Sequence, residues 1–175
     1  MILRIFLMVL LNLSMVPNLF AETIDKNECI FKYSRTYSLE ELFKEMYKLS
    51  KKFDLDPDLI YSIIYVESKW DPCAVSHKGA IGLMQIMPTT ALIFDKNLKT
   101  EELFDPIINM EIGILYFKAL LSYYEQFHPK AIAIKKALIA YNAGPYAKSI
   151  PSESKNYVKK VFKIFYKLKS KEAKR

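Results

Sequence analysis

Glycine is scarce: four in 175 residues, too few for the turn-rich path of an all-β sandwich or barrel. Histidine and cysteine are scarcer, two of each, and their wide spacing offers no zinc pattern. No run alternates apolar and polar residues strictly enough for a half-buried strand, and no internal repeat is evident. The apolar run at the N-terminus is broken by Asn12, Ser14 and Asn18 and is too short for a comfortable membrane span. What the chain has in quantity is apolar and aromatic surface. Hydrophobic residues make up 51%, with twelve Tyr and eleven Phe, ample for the core of one domain but not of two. A Tyr-rich surface, with apolar bodies and polar tips, suits sugars and other amphipathic partners.

Residues 1–21 read as a secretory signal. Arg4 supplies the positive flank, Ile5 to Leu11 the apolar region, and Pro17-Asn18 breaks it before the small Ala21. Cleavage after Ala21 is expected, although Leu19 is larger than the usual residue at that position; an uncleaved anchor is the alternative. Neither Cys29 nor Cys73 follows a lipoprotein pattern. Export would leave the mature chain at +6 rather than +7, since Arg4 is the only charge lost. In an oxidising compartment Cys29 and Cys73 can pair if the fold brings their Cα atoms within about 7 Å; a buried Cys73 with a loose Cys29 is the other reading. The expected location is the periplasm or cell envelope. Positive charge gathers from Lys155 to Arg175, which on an exported protein fits an anionic envelope polymer or lipid headgroups better than nucleic acid. A solvated helix face is the commoner explanation of such a run of charge.

The rest of the chain divides into an irregular, extended lead-in over 22–37, a domain over 38–168 and a basic tail over 169–175. Ser38 and Glu41 form a capping box that opens a helix with Leu39, Leu42, Phe43, Met46, Leu49 and Phe53 at helical spacing. Asp56-Pro57 starts a second helix, which ends near Ser68 because Trp70-Asp71-Pro72 turns the chain. Cys73 to Ile81 reads as a loop, Leu83 to Met87 as a single helical turn, and Pro88 as the start of a further short helix. After a short helical connector from Thr100 to Pro106, a long helix is expected over 107–127. Another runs from Pro129 to Tyr141, ended by Asn142-Ala-Gly-Pro145, and a last amphipathic one from Lys155 to Lys167. The fold class expected is all-α, a lysozyme-sized helical domain with a substrate cleft, acting as a monomer.

Glu67 is the residue of most chemical interest. It closes the apolar stretch Leu59-Ile-Tyr-Ser-Ile-Ile-Tyr-Val-Glu67, and a carboxyl carried into apolar surroundings loses hydration, so its pKa should rise. A Glu that keeps its proton near neutrality can give it to a leaving oxygen. The bland alternative is a helix-end Glu turned to water. Against it stand polar groups set in apolar context downstream, Gly82-Leu-Met-Gln85 and Ala140-Tyr-Asn142, as a small-ligand cleft requires.

Five ordered groups then carry a family resemblance: Glu67-Ser68; Gly82-Leu-Met-Gln85 with Met87-Pro88; Asp105-Pro106 with Asn109 and Gly113; Ala140-Tyr-Asn-Ala-Gly144; and Tyr157-Val158. From about Leu42 to Tyr166 the chain resembles the catalytic domain of soluble lytic transglycosylases, relatives of goose-type lysozyme. The resemblance implies a lysozyme-like helical fold that cleaves peptidoglycan between N-acetylmuramic acid and N-acetylglucosamine. Glu67 matches the family's single catalytic acid. It would protonate the glycosidic oxygen, then as carboxylate accept the proton of the muramoyl C6 hydroxyl, which closes onto the anomeric carbon to leave a 1,6-anhydro sugar. An intramolecular hydroxyl already stands at high effective concentration, so no second carboxylate is needed to activate water. No metal or organic cofactor is called for.

The resemblance also implies a substrate-binding set. Gln85 would meet an acetamido group, unless it caps a helix, and Met84 would form a polarisable wall, unless it packs in the core. Tyr141 would hold Glu67 or polarise the reacting centre, unless it is simply a buried, satisfied tyrosine. Asn142 is a binding residue or a helix C-cap; Ser76 a substrate contact or a turn serine. Ser68 reads as structural, closing the helix behind the acid. Tyr157 matches a family position too, but where the family commonly carries Glu-Thr-Arg before it, Glu153-Ser-Lys155 stands here. Glu153 would meet stem-peptide groups, while at Lys155 an ammonium lacks the guanidinium fork. Asp71, where Asn is frequent, reads as a turn cap. Rival readings are a hydrolytic muramidase with Asp71 or Asp105 as second carboxylate, and a peptidoglycan-binding scaffold without turnover. The partner expected is the peptidoglycan strand, with local wall opening for a secretion, pilus or flagellar apparatus, and no nucleic acid.

Overall fold

The chain was analysed as a computed structural model, which describes residues 29, 33, 36–147 and 149–173. The signal-like segment 1–21 lies outside the described residues. Among the described residues from Leu39 on, six α-helices and one 3-10 turn follow in order: α1 Leu39–Lys52, α2 Pro57–Ser68, α3 Pro88–Phe94, the 3-10 turn Thr100–Phe104, α4 Pro106–Glu125, α5 Lys130–Ala143 and α6 Ser152–Glu172. Among the described residues there is no strand beyond two isolated bridges, Val75 with Ile81 and Ile81 with Ile86. The all-α class is as the sequence indicates.

The helix starts are written locally. The Ser38 hydroxyl accepts from the Glu41 amide at 3.2 Å while a Glu41 carboxylate oxygen takes the Ser38 amide at 2.8 Å, satisfying two orphan donors of α1. Asp56 accepts from the Asp58 amide at 3.0 Å ahead of Pro57. Asp105 does the same for α4, taking the amides of Ile107 and Ile108 at 2.8 and 3.2 Å.

α4 is the axis of the packing. Met110, Ile112, Ile114, Phe117, Leu120 and Leu121 are buried around it on several sides, the pattern of a helix enclosed by others. α5 and α1 pack on α4, α6 lies across α2 and α5, and α1 touches α2. The apolar positions of α2 (Leu59, Ile60, Ile63, Ile64) face inward, which carries the Glu67 end of α2 to the centre of the molecule.

Three expectations are corrected. Leu83 to Met87 is not a helical turn but a tight reversal, in which Ile81 and Ile86 exchange backbone hydrogen bonds at 3.0 and 2.9 Å. Positive φ at Gly82 (+78°) and Gln85 (+50°) prevents helix there. The lead-in 22–37 is not extended where it is described: Cys29 and Tyr33, four residues apart, are helical and buried. The supposed basic tail is helical over 169–172, as the end of α6, which begins at Ser152 and runs to Glu172. Lys169 is tied back to Asp58 at 2.7 Å and Asp56 at 3.2 Å.

Cys29 and Cys73 form a disulfide with Cα atoms 5.8 Å apart across 44 residues of sequence. It anchors the lead-in to the loop that follows Glu67. A closed loop of this length restricts the unfolded chain by roughly 2–4 kcal/mol. The Cys29→Ser/Cys73→Ser double variant is therefore expected to lose that much stability in urea titration; an unchanged midpoint would mean that the bridge contributes nothing to the fold.

Candidate active site

Glu67 stands in the last turn of α2. It keeps some accessible surface yet is strongly desolvated, the combination expected of a carboxyl at the floor of a cleft. Desolvation pushes its pKa from 4.5 to about 7, and the Tyr157 hydroxyl beside it works the other way, favouring the carboxylate. The two do not meet in normal hydrogen-bond geometry, and the buried Tyr157 O–H has no partner among the described residues. It is a donor held ready. Burial, then the neighbouring Glu67 charge, raises the Tyr157 and Tyr141 hydroxyls well above the ordinary tyrosine value, so both stay protonated.

Tyr141 reaches the site from α5. Its hydroxyl donates to the Met84 carbonyl at 2.8 Å, and its ring rests on Tyr116 and Phe117 of α4 at centroid distances of 5.3 and 6.1 Å. With its proton committed to Met84, the phenolic oxygen keeps only acceptor capacity, and it lies near enough to Glu67 to feel that group's charge.

The turn 81–86 is held by one buried side chain. The Asn109 carboxamide, wholly enclosed, donates to the carbonyls of Ile81 and Leu103, both at 2.8 Å, and accepts from the Met84 amide at 2.8 Å. Two carbonyls and one N–H leave no ambiguity in its orientation. Gly82 lies directly on it, where a Cβ would come within 2.7 Å of both the Asn109 Cγ and the Leu103 carbonyl. One turn further along α4, a Cβ on Gly113 would stand 2.5 Å from the Met84 sulfur. Ser68 completes the join, donating to the Leu83 carbonyl at 2.8 Å and more weakly to Ile64. It is structural as read, and it ties the acid's helix to this turn. Lys69 and Trp70 then take left-handed φ of +55° and +69°, unusual for a bulky residue. The indole is wedged against Phe43 at 4.5 Å and Tyr61 at 5.5 Å, which holds that conformation in place.

The structure sorts the remaining candidates. Met84 is corrected: its side chain has no exposed surface and is sealed under Gly113, so it packs rather than walls a cleft. Gln85 is half-buried and donates both amide protons, to Ala74 at 3.1 Å and Gly82 at 3.0 Å; its carbonyl oxygen is the group left for a ligand. Ser76 accepts from the Ala80 amide at 3.0 Å, closing the loop and leaving its proton free to donate. Asn142 is exposed and accepts from Ser154, whose side chain is 1% exposed, at 2.8 Å, joining α5 to α6. It is no C-cap, since α5 runs on to Ala143 with Gly144 at φ +83°. Glu153 and Lys155 are exposed in the first turn of α6, with Glu153 one turn before Tyr157 on the same side of the helix. Asp71 accepts from the Cys73 amide at 2.9 Å, as a turn cap does. Reading by sequence passed over Ser154, Tyr116 and the role of Asn109. The last had a signal: one amide inside the apolar run Pro106-Ile-Ile-Asn109-Met-Glu-Ile-Gly113 must find buried partners.

Fold and site together define a helical domain built around one desolvated carboxyl flanked by tyrosines. The family model described as the Transglycosylase SLT domain matches residues 45–162, about two thirds of the chain, and the chain belongs to that family. It is 37% identical over 105 residues to the membrane-bound lytic murein transglycosylase C of Actinobacillus pleuropneumoniae serotype 5b, covering 55% of this chain and 29% of that protein. It is 33% identical over 132 residues to the membrane-bound lytic murein transglycosylase E of Buchnera aphidicola, covering 71% and 60%. Among solved structures it resembles the 70 kDa soluble lytic transglycosylase of Escherichia coli, with 29% identity, TM-score 0.57 and coverage of 73% and 23%. An inactive variant of Slt from Pseudomonas aeruginosa shares the fold at TM-score 0.60 and 24% identity, covering 70% and 23%. The chain thus spans under a third of the first of these relatives and under a quarter of each solved chain.

Because the folded-state pKa of Glu67 is raised, its contribution to stability is complete below 4.5 and lost as pH climbs through about 7. Glu67→Gln is expected to match the parent at about pH 4 and to exceed it at about pH 8, by up to about 3 kcal/mol, the equivalent of the shift. Denaturant titrations at both pH values decide, and a variant weaker at pH 8 contradicts the desolvated carboxyl. Asn109→Asp keeps the shape but turns two donors towards carbonyls into an acceptor; a loss of at least about 3 kcal/mol is expected, and near-parental stability would deny the residue its bridging role.

Proposed function

We propose that this chain is a lytic transglycosylase of peptidoglycan, acting at the cell envelope on the bond between N-acetylmuramic acid and N-acetylglucosamine. The observation that carries the reading is Glu67: a carboxyl protonated up to about pH 7, on the segment that matches the transglycosylase family. As the acid, Glu67 gives its proton to the glycosidic oxygen while the C1–O bond breaks. The resulting carboxylate takes the proton of the muramoyl C6 hydroxyl, whose oxygen bonds to C1 and closes the 1,6-anhydro ring. No water enters, and Glu67 ends protonated as it began. The Tyr157 hydroxyl donates to the transient carboxylate and stabilises it between the two steps. The Gln85 carbonyl and the Ser76 hydroxyl are the polar groups we assign to acetamido and sugar contacts.

A single-carboxylate mechanism is supported by what the two other candidate carboxylates do. Asp71 caps a turn and Asp105 caps α4, so each already serves backbone amides, and neither is needed when the C6 hydroxyl replaces water. We propose further that the cutting is local, opening the wall for an envelope-spanning secretion, pilus or flagellar apparatus. The signal-like N-terminus supports export; wall turnover independent of any such apparatus would remove this part.

Digestion of purified sacculi followed by mass spectrometry is expected to yield 1,6-anhydromuropeptides, and reducing-end products alone would establish a hydrolase instead. Glu67→Gln is expected to lower turnover at least about thousandfold, and retained activity would move the acid elsewhere. Activity should fall above about pH 7 as Glu67 loses its proton. Tyr157→Phe removes the group that lowers this pKa, so the alkaline limb should shift upward while kcat drops; an unmoved limb would separate Tyr157 from the acid.

A further inference from the structure

The outer face of α6 is left unused by the glycan reading. This helix carries seven lysines against two glutamates, a net +5 in a chain whose total is +7. Its inward side buries Ser154, Tyr157, Val158 and Val161. At 100° per residue the opposite side presents Lys155, Lys159, Lys163, Tyr166 and Lys167, all of them exposed, with Lys160 and Lys171 exposed at its edge. Among the described residues Lys169 alone of the seven has carboxylate partners: Asp58, Asp56 and Glu172 at 2.7, 3.2 and 3.3 Å. Elsewhere Lys44, Lys48, Lys52 and Lys118 stand against an acid, while Lys78, Lys96, Lys99 and Lys130 are, among the described residues, as unpaired as those of α6. What sets α6 apart is that its unpaired lysines share one helix face. Tyr166, 62% exposed, projects from the middle of the unpaired lysines with its ring stacked on Phe162 at 5.7 Å and beside Phe165 at 5.4 Å.

We infer that the outer face of α6 docks this protein on an anionic phospholipid surface. Six like charges along one helix repel one another, and a surface of negative potential relieves that repulsion for all of them at once. The helix is about 31 Å long, so its lysines reach several headgroups together. Long lysine stems and an aromatic with a polar tip are the side chains that settle at headgroup depth. The exposed Tyr166 ring is what selects lipid over a hydrated anionic polymer, which can balance the charge but offers the ring no apolar layer. No described helix is long and apolar enough to cross a bilayer, so the contact lies in the plane of the surface. The geometry has a consequence for the site. Tyr157, beside Glu67, leaves α6 on the side opposite the lysines, so a docked molecule turns its cleft away from the lipid.

The test is flotation of the full chain with vesicles of phosphatidylcholine containing about one third phosphatidylglycerol, against phosphatidylcholine alone. Binding is expected only to the anionic vesicles, and it should collapse at about 0.5 M salt. The Lys159→Glu/Lys163→Glu/Lys167→Glu variant, checked for fold by circular dichroism, is expected to lose at least about tenfold in partition coefficient. Its cleavage of detergent-free soluble glycan fragments should equal that of the parent, because none of the three lysines belongs to the site. The corresponding triple arginine variant should bind as the parent does, and Tyr166→Ala more weakly. Parental partition by the charge-reversed chain overturns the inference, as does a parent chain that ignores anionic vesicles while binding a soluble polyanion.

Discussion

A single carboxamide, that of Asn109, holds the site together. Three backbone groups from two segments, the turn 81–84 and the 3-10 turn ending at Phe104, are buried where water does not reach and end on this one side chain. An unpaired group in such a place costs about as much as a hydrogen bond lost outright, so the turn takes the one shape in which all three are met. Gly82 is required because the amide lies against its backbone, and Gly113 because Met84 is pressed onto α4 by the same arrangement. From that turn the Met84 carbonyl reaches out to fix the Tyr141 hydroxyl, and the Leu83 carbonyl receives Ser68. The acid's helix, the tyrosine and the loop are thereby referred to one buried point.

Around that frame the chemistry follows from exclusion of water. No positive side chain contributes to the Glu67 shift; burial dominates, with only a tyrosine hydroxyl opposing it. A carboxyl in this state is a competent acid at neutral pH and, once ionised, a stronger base than an ordinary carboxylate, which suits a group that must both give and take a proton. The tyrosines surrounding it cannot titrate in the same range, because desolvation pushes them upward as well. Protonation in the cleft therefore reduces to one site. The six unpaired lysines of α6, by contrast, stand on the far side of that helix, away from the carboxyl whose neutrality they would disturb.

Much of this was legible in the chain. Caps at Ser38 and Asp56 are local chemistry between residues two or three apart, and α1 and α2 begin where those caps indicate. The apolar run into Glu67 foretold a desolvated acid, and Ser68 was legible as structural. The errors share a cause. Leu83 to Met87 has the composition of a helical turn, but the buried Asn109, 25 residues on from Met84, holds the segment in the Ile81–Ile86 reversal and overrides that propensity. Met84 sits in a motif shared with cleft residues, yet its burial depends on a glycine 29 positions later. Cys29 and Tyr33 gain their helical, buried state from a bridge to Cys73 that their own neighbourhood does not announce.

Sequence alone therefore determined the helical class, the starts of α1 and α2, the family and the apolar setting of Glu67, because these rest on periodicity, capping and ordered motifs carried by residues close in the chain. Only the tertiary structure decided which polar groups remain available to a ligand. Gln85, Asn142 and Tyr141 each have hydrogen bonds to spend, and whether they spend them on the backbone, on Ser154 or on a sugar depends on partners 11, 12 and 57 residues away. The satisfaction of buried polar groups is a global condition, and no local pattern encodes it.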